Sequence, residues 1–275
     1  MSEFYCYLNG ETLPVKDAHI HISDLGLLRS YAVFDYFRTY NSKPYMLSDH
    51  LNRFRNSAAD LRLPLNLSDE EIGALIQDLI TKSEVEDAGI RMVLTGGYSA
   101  DSMAVTEPNF MIIVEQLPVM PEGTYSKGVS LKTYEYLRDS PGIKSTQYLN
   151  AIKLQPLKEK YGVFDLLYYY DDAVLESPRN NFFIFKDSVL ITAEDNVLKG
   201  VTRKMILHLA EGVFEIEERR ITMEELRNAD EAFISGTTRR IIPVVKIDDQ
   251  PVGDGEVGEC TKKLIEVFDA YISAL

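Results

Sequence analysis

Few side chains in this sequence have a type and spacing that could by themselves do chemistry. Gly253-Asp254-Gly255-Glu256-Val257-Gly258 has the spelling of a dinucleotide-binding glycine loop, which would mean hydride transfer with a nicotinamide. Such a loop needs a following helix, a second parallel strand and an acidic residue about 20 positions on, and the chain ends too soon after Gly258 to supply them. Asp254 and Glu256 would also repel a pyrophosphate, so the segment reads as a hairpin turn. His19 and His21 alternate as metal ligands on one strand face do, but with four histidines in the chain and no companion carboxylate cluster no metal is assigned. Cys6 and Cys260 fit neither metal-ligand spacing nor a disulfide framework, and read as small apolar core residues. A lone lysine such as Lys144, or a lone arginine such as Arg53, is ordinarily a solvated surface charge. The net charge of -14 makes each local cation informative, because any anion site must be built against the overall field.

Length and composition set the frame for these residues. A chain of 275 residues with 45% apolar content can bury a large core, as one big domain or two moderate ones. Its acidity disfavours nucleic acid and anionic membranes as partners. The apolar stretches fall short of the roughly 18 to 20 residues a membrane span needs, and Met1-Ser2-Glu3 lacks a basic signal-peptide start. The expectation is a soluble, cytoplasmic protein in a reducing compartment.

The elements that must position any site read as α/β (α+β). Turn chemistry at Asn9-Gly10 and at 41–44 brackets a strand over 33–40, rich in aromatic and β-branched residues. Ser48 reads as the cap of a helix reaching about Leu61. Ser68 with Glu71 spells a capping box for a helix over 70–83. Strands follow over 90–95 and 110–114. The stretch 116–123, with two prolines and a glycine, reads as a linker, giving an N-terminal α/β domain over 1–116, a linker over 117–124 and a C-terminal α/β domain over 125–275. In the second domain a strand over 129–137, a helix over 147–161 despite Pro156, and a strand over 166–170 are expected. A hairpin over 181–192 turns at Lys186-Asp187-Ser188. Gly200 opens a helix over 202–209, Thr222 with Glu225 caps another, and 261–271 is a final amphipathic helix.

Context raises Lys144 above its isolated meaning. Gly142-Ile143-Lys144-Ser145-Thr146-Gln147-Tyr148-Leu149-Asn150 and Leu175-Glu176-Ser177-Pro178-Arg179-Asn180-Asn181-Phe182-Phe183 resemble segments of the class IV aminotransferases. So do Asp24-Leu25-Gly26, His50-Leu51-Asn52-Arg53-Phe54, Lys199-Gly200-Val201-Thr202-Arg203, Ser235-Gly236-Thr237-Thr238 and Pro243-Val244, in the same order along nearly the whole chain. The resemblance implies a fold-type-IV enzyme of two α/β domains with the active site between them, pyridoxal 5'-phosphate as cofactor, and a homodimer whose partner chain completes the pocket. It makes Lys144 the Schiff-base lysine and catalytic residue, carried on the C-terminal domain. That amine must lose its proton to react, a state that burial against an apolar wall favours. It sets Glu176 against the pyridine nitrogen, which must stay protonated to withdraw electrons. Arg53, the backbone at Gly200, Val201 and Thr202, and Thr237 with Thr238 resemble the phosphate cup. Tyr148 resembles the tyrosine at the cofactor's ring oxygen, although its offset from the lysine is one residue shorter than in the branched-chain enzymes.

Departures from the family pattern carry the substrate information. Pro178-Arg179 follows the glutamate where relatives have small residues, and Arg29 stands where they often have an aromatic. Together, with Arg29 reaching from the partner chain, these arginines resemble a D-amino acid transaminase subgroup that grips the substrate's α-carboxylate with two guanidinium groups. The competing reading pairs them with local carboxylates such as Asp24 or Asp35. The resemblance therefore implies a transaminase passing the amino group of a D-amino acid to a 2-oxo acid such as 2-oxoglutarate or pyruvate. Phe34, in Val33-Phe34-Asp35-Tyr36-Phe37-Arg38, and Arg38 resemble the branched-chain pattern, so a branched-chain L-amino acid aminotransferase and an aminodeoxychorismate lyase stay open as alternatives. Arg239-Arg240 stands where a glutamate is common, and the sequence assigns it no role.

Overall fold

The computed structural model describes residues 3–275, so Met1 and Ser2, part of the stretch read for a signal peptide, lie outside it. The chain forms two compact units. The first runs to Pro118 and also takes in Ile143–Tyr148, while the second holds Val119–Gly142 and Leu149–Leu275. The sequence assigns all of 125–275 to the second domain, but six of those residues join the first by main-chain bonding. Phe34 N donates to Lys144 O at 2.9 Å and Thr146 N to Ala32 O at 3.0 Å, a short bridge onto the edge of a strand.

The first unit is built on six strands, β1 (Tyr5–Leu8), β2 (Glu11–Pro14), β3 (Ala32–Tyr40), β4 (Lys43–Pro44), β5 (Gly89–Thr95) and β6 (Phe110–Glu115). They form one antiparallel sheet in the order β2-β1-β6-β5-β3-β4. Helices α1 (Leu25–Arg29), α2 (Leu47–Asp60) and α3 (Asp69–Lys82) complete it. β3 alternates in burial with period two, so Val33, Asp35 and Phe37 enter the core while Phe34, Tyr36 and Arg38 share the other face. The core closes where α2 and α3 lay Leu51, Phe54, Ile72 and Ile76 against Ile90, Met92 and Ile112. The capping box of α3 forms as spelled, with Glu71 N donating to Ser68 Oγ at 3.2 Å and Ser68 N to Glu71 Oε2 at 2.7 Å. α2 starts at Leu47, after Met46 in the left-handed region at φ 51°, and Ser48 lies inside it instead of capping it.

The second unit carries β7 (Val129–Glu135), β8 (Asp165–Tyr170), β9 (Ala173–Val174), β10 (Glu176–Ser177), β11 (Asn180–Lys186), β12 (Val189–Thr192), β13 (Glu215–Glu218), β14 (Ile221–Thr222), β15 (Glu231–Gly236), β16 (Arg240–Ile247) and β17 (Gln250–Pro251). These make one mixed sheet whose main path is β13-β12-β11-β15-β16-β7-β8-β9-β14, parallel at β12/β13, β16/β7 and β7/β8. Its helices are α4 (Leu149–Lys153), α5 (Gln155–Tyr161), α6 (Val201–Ala210), α7 (Met223–Arg227) and α8 (Glu259–Ser273). The single helix expected over 147–161 starts two residues later and divides at Leu154, with Pro156 in the first turn of α5, where its missing N–H costs nothing. β10 and β11 form a tight hairpin, with Glu176 opposite Asn181 and Ser177 opposite Asn180.

Gly253–Gly258 is not a hairpin turn. It joins β17 to α8, so a helix does follow it. Gly253 has φ +56° and a Cβ there would stand 2.2 Å from Asp230 O, which explains the residue. The start of α8 is already occupied by a side chain: Glu231 accepts from Cys260 N at 2.9 Å and Thr261 N at 2.7 Å, and a Cβ on Gly258 would meet Glu231 Cδ at 2.0 Å. A pyrophosphate has no place there. His19 and His21 lie in coil after a short turn, not on a strand, and among the described residues no group of three or more His, Cys, Asp or Glu side chains could hold a metal. No helix among them is long and apolar enough to cross a membrane.

Glu231 thus supplies two donors of α8 with their acceptors from β15. Glu231→Ala is expected to lower the unfolding free energy by about 2 kcal/mol, the upper end for loss of a helix cap. Urea denaturation measures this, and an unchanged midpoint and slope would contradict it.

Candidate active site

Lys144 sits in the first unit in a frame of main-chain bonds. Its carbonyl accepts from Phe34 N and its own N–H donates to Ser57 Oγ at 3.2 Å, which fixes the backbone between β3 and α2. The ammonium lies over the Phe34 ring, 4.4 Å from its centroid, and Tyr148 meets that ring edge-on at 5.8 Å. Three residues singled out from the sequence, Lys144, Phe34 and Tyr148, therefore form one cluster. Beside them Arg91 of β5 lies 5.8 Å from the Phe34 centroid and 5.0 Å from that of Tyr36, and is paired with Glu115.

Arg53, on α2, is largely buried and engages Asp35 of β3 through two parallel bonds, Nε to Oδ2 and Nη2 to Oδ1, each 2.8 Å. His50, one helical turn earlier, reaches Asp35 Oδ1 with Nδ1 at 2.7 Å. Burial works against ionising Asp35, but the Arg53 guanidinium and then His50 overcome it and hold the carboxyl well below the usual carboxylate range. An ionised Asp35 only accepts, so the proton of a neutral His50 must sit on Nδ1. Burial pushes the His50 pKa down, and the charges of Arg53 and Lys144 act the same way against the pull of Asp35. Arg53 Nη1 has no hydrogen bond among the described residues and remains open to an anion.

In the second unit Glu176 opens the β10–β11 hairpin and is buried. Its Oε1 accepts from Arg138 Nε at 3.0 Å and Nη2 at 2.7 Å, while Oε2 accepts from Asn181 Nδ2 at 3.2 Å and Leu198 N at 3.1 Å. Asn181 also donates to Leu198 O, so one side chain ties the glutamate to the loop before α6. Gly200 caps α6 without a side-chain acceptor, leaving first-turn N–H groups of a ten-residue helix available. A Cβ at Gly200 would stand 2.1 Å from Asn181 Oδ1, so only glycine lets the helix start approach the glutamate's hairpin this closely. Val201 and Thr202 are buried in that first turn, and Thr237 and Thr238 lie half-buried in the turn between β15 and β16. Buried polar atoms in this unit lack protein partners at Ser177 Oγ, Ser235 Oγ and the Asn180 amide. Such atoms mark a place where a polar ligand or water belongs.

The two arginines expected to hold a carboxylate are not buried in ion pairs. Arg29 ends α1 and donates Nη1 to Leu28 O at 2.9 Å, whereas Arg179 sits at the tip of the β10–β11 hairpin with no ion pair among the described residues. Neither uses Asp24 or Asp35. Asp24 is filled by Gly26 N, Thr95 Oγ1 and Asn109 Nδ2 at 2.6 to 2.7 Å, and Asp35 by Arg53 and His50. Sequence reasoning gave no role to His50, Arg91 or Arg138. His50 had one detectable signal, its three-residue spacing from Arg53 on a helix, but Arg138 lies 38 residues from Glu176 and had none.

The family model described as Amino-transferase class IV matches residues 32–247. A putative branched-chain-amino-acid aminotransferase of Methanocaldococcus jannaschii is 35% identical over 273 residues, covering 95% of this chain and 94% of the relative. A D-alanine aminotransferase of Staphylococcus aureus is 30% identical over 281 residues, covering 98% of each. Among solved structures, the T.th. branched-chain amino acid aminotransferase with pyridoxamine 5'-phosphate superposes with a TM-score of 0.91 at 24% identity, over 99% of this chain and 95% of that one.

The buried Asp35–His50 pair makes stability depend on pH. Because native His50 resists protonation, only the unfolded chain takes up its proton below about pH 6.5, so the unfolding free energy should fall as pH drops from there. Asp35, whose pKa is lowered on folding, adds a second loss below about pH 4. Urea titrations from about pH 8 to about pH 5 should show the first slope in the wild type and a flatter one in His50→Gln, and equal slopes would contradict this assignment.

Proposed function

The chain belongs to the class IV aminotransferase family, and on that footing we propose that it moves the amino group of a D-amino acid to a 2-oxo acid such as 2-oxoglutarate or pyruvate. The observation that carries this reading is the pair Arg29 and Arg179, which local carboxylates leave unclaimed. A guanidinium beside an apolar substrate side chain would be costly, so two such groups make sense where an anion is to be received.

Pyridoxal 5'-phosphate is the family's cofactor and this chain's. The residues present fit it. Arg53 keeps Nη1 open, the start of α6 offers uncapped donors, Ser235 has a buried hydroxyl without a protein partner, and Glu176 is a buried carboxylate. In this reading Arg53, Gly200, Val201, Thr202, Thr237 and Thr238 hold the phosphate, Glu176 faces the pyridine nitrogen, Tyr148 serves the ring oxygen, and Lys144 is the covalent anchor. When bound, the cofactor supplies an electron sink for the bond broken at the substrate's Cα.

The chain's own residues then divide the remaining work. Lys144 Nζ would take up and hold the proton leaving the substrate's Cα, and its backbone bonds to Phe34 and Ser57 keep that amine in register. Phe34 forms an apolar wall beneath the amine and shields it from water on that side. Arg138 orients Glu176 and compensates its buried charge. Arg29 and Arg179 bind the α-carboxylate and so decide which enantiomer turns its Cα hydrogen toward Lys144. A donor and an acceptor that use one site in turn give ping-pong kinetics.

Arg29 ends a short helix with exposed apolar neighbours, Ile22 at 75% and Leu27 at 67% exposure. A second copy of the chain would cover such a surface, and a homodimer delivering Arg29 to its partner's site is part of this proposal. A second reading, transfer from branched-chain L-amino acids, is supported by the 35% identical relative and by Phe34.

One screen separates the readings. With D-alanine or D-glutamate, Arg179→Ala and Arg29→Ala are each expected to lower half-reaction efficiency at least about thirtyfold, the loss expected when one partner of a desolvated charged pair is removed. Wild-type preference for L-leucine or L-valine over every D-amino acid would contradict the D-specific reading. Sedimentation of the active enzyme as a monomer would remove the dimer.

A further inference from the structure

Arg239 was left without a role by the sequence, and its surroundings suggest one. It sits in the turn from β15 to β16, with its guanidinium 5.1 Å from the Phe164 ring centroid and one hydrogen bond, Nη1 to Asp165 Oδ2 at 3.1 Å. Its other donors make no bond among the described residues. Asp165 is buried and shared, since Lys158 Nζ lies 3.6 Å from its second oxygen. Arg179 is close enough to repel Arg239, and burial together with that charge lowers the Arg239 pKa. Two cations thus share Asp165, with Arg179 near enough to Arg239 to repel it, in a chain whose net charge is -14.

The two arginines are neighbours because their turns abut. A Cβ at Gly236 would stand 3.3 Å from Arg179 O and 3.1 Å from Asn180 Oδ1, and the Asn180 amide is buried with no protein partner on either atom. This place is distinct from the start of α6. Gly200 packs on Asn181 and Gly236 on Asn180, and successive residues of β11 point to opposite faces. The charge here is therefore separate from the α6 donors assigned to the phosphate, and it follows directly on Thr237 and Thr238 in the same turn.

We propose that Arg239, next to Arg179, receives the distal carboxylate of a dicarboxylic substrate, so that the enzyme favours a five-carbon 2-oxo diacid over a monocarboxylic acceptor. The proposal rests on Arg179 being part of the substrate site. A planar guanidinium held at one edge by Asp165 and lying over the Phe164 ring has its remaining donors directed by those two contacts, a geometry suited to a carboxylate. Pairing with an incoming anion also offsets the local excess of positive charge.

The test uses unreactive ligands on the holoenzyme, glutarate and butyrate, which differ chiefly by one carboxylate. Calorimetric titration of the wild type is expected to show glutarate binding at least about tenfold tighter, and Arg239→Gln to reduce that preference at least about tenfold. Arg239→Lys, which keeps a cation beside Asp165 but lacks the forked donors, should fall between the two. Equal wild-type affinities would overturn the proposal, as would an unchanged ratio in Arg239→Gln. Should the Gln variant not fold, the wild-type ratio and the Lys variant decide, and a Lys ratio equal to the wild type's would also overturn it. The ratio is independent of the amino donor's handedness. Glutarate preference in an enzyme that takes only L-amino acids would retain Arg239 and reject the D-specific reading. D-alanine turnover without glutarate preference would do the reverse.

Discussion

The candidate site depends on one short stretch of backbone, residues 143–148, bonded to the edge of β3. Its backbone is held by Lys144 O to Phe34 N, Lys144 N to Ser57 Oγ, and Thr146 N to Ala32 O, and the Thr146 hydroxyl adds a bond to Ser30 O. They place a lysine over an aromatic ring and within the electrostatic reach of the buried His50–Asp35–Arg53 group. A side chain on a free loop would lose the orientation that proton transfer requires, since an error of about 1 Å can cost about a hundredfold in rate. The same strand supplies Asp35 to one face and Phe34 to the other, so the period-two pleat sorts a buried ionic pair from an aromatic wall.

Charge in this acidic chain is used in two distinct ways. Arg53 and Arg138 are paired with buried carboxylates, Asp35 and Glu176, through pairs of hydrogen bonds that fix both partners. Such pairs position groups more than they stabilise the fold, because desolvation offsets much of their attraction. Arg29 and Arg179 have no such partner among the described residues, and Arg239 shares its carboxylate with Lys158. In the first group the protein completes the ion pair; in the second we propose that a substrate carboxylate does.

Much of the fold was legible in the sequence because local chemistry dictated it. The capping boxes at Ser68/Glu71 and Thr222/Glu225 form as spelled, and the alternation over 33–40 gives β3. The misreadings fall where the sequence carries no local signal for the outcome. Leu154 divides the expected helix at 147–161, and Glu231, far away in sequence, turns a glycine-rich string into a helix start. The family resemblance, carried by ordered motifs along the chain, is matched by the family model over 32–247. Within the candidate site, motifs pointed to Lys144, Glu176 and Arg53, but the groups that orient them were not visible. Arg138 meets Glu176 across 38 residues, and Asp35 meets Arg53 across 18, pairings that only the folded sheet and helix create.

The central claim is that Lys144 is the residue to which the cofactor is bound. Borohydride reduction of the holoenzyme fixes the pyridoxyl group on its lysine, and proteolysis followed by mass spectrometry locates it. The added mass is expected on the peptide containing Ile143-Lys144-Ser145, with fragment ions assigning it to Lys144. A label on any other lysine, with Lys144 unmodified, would contradict it.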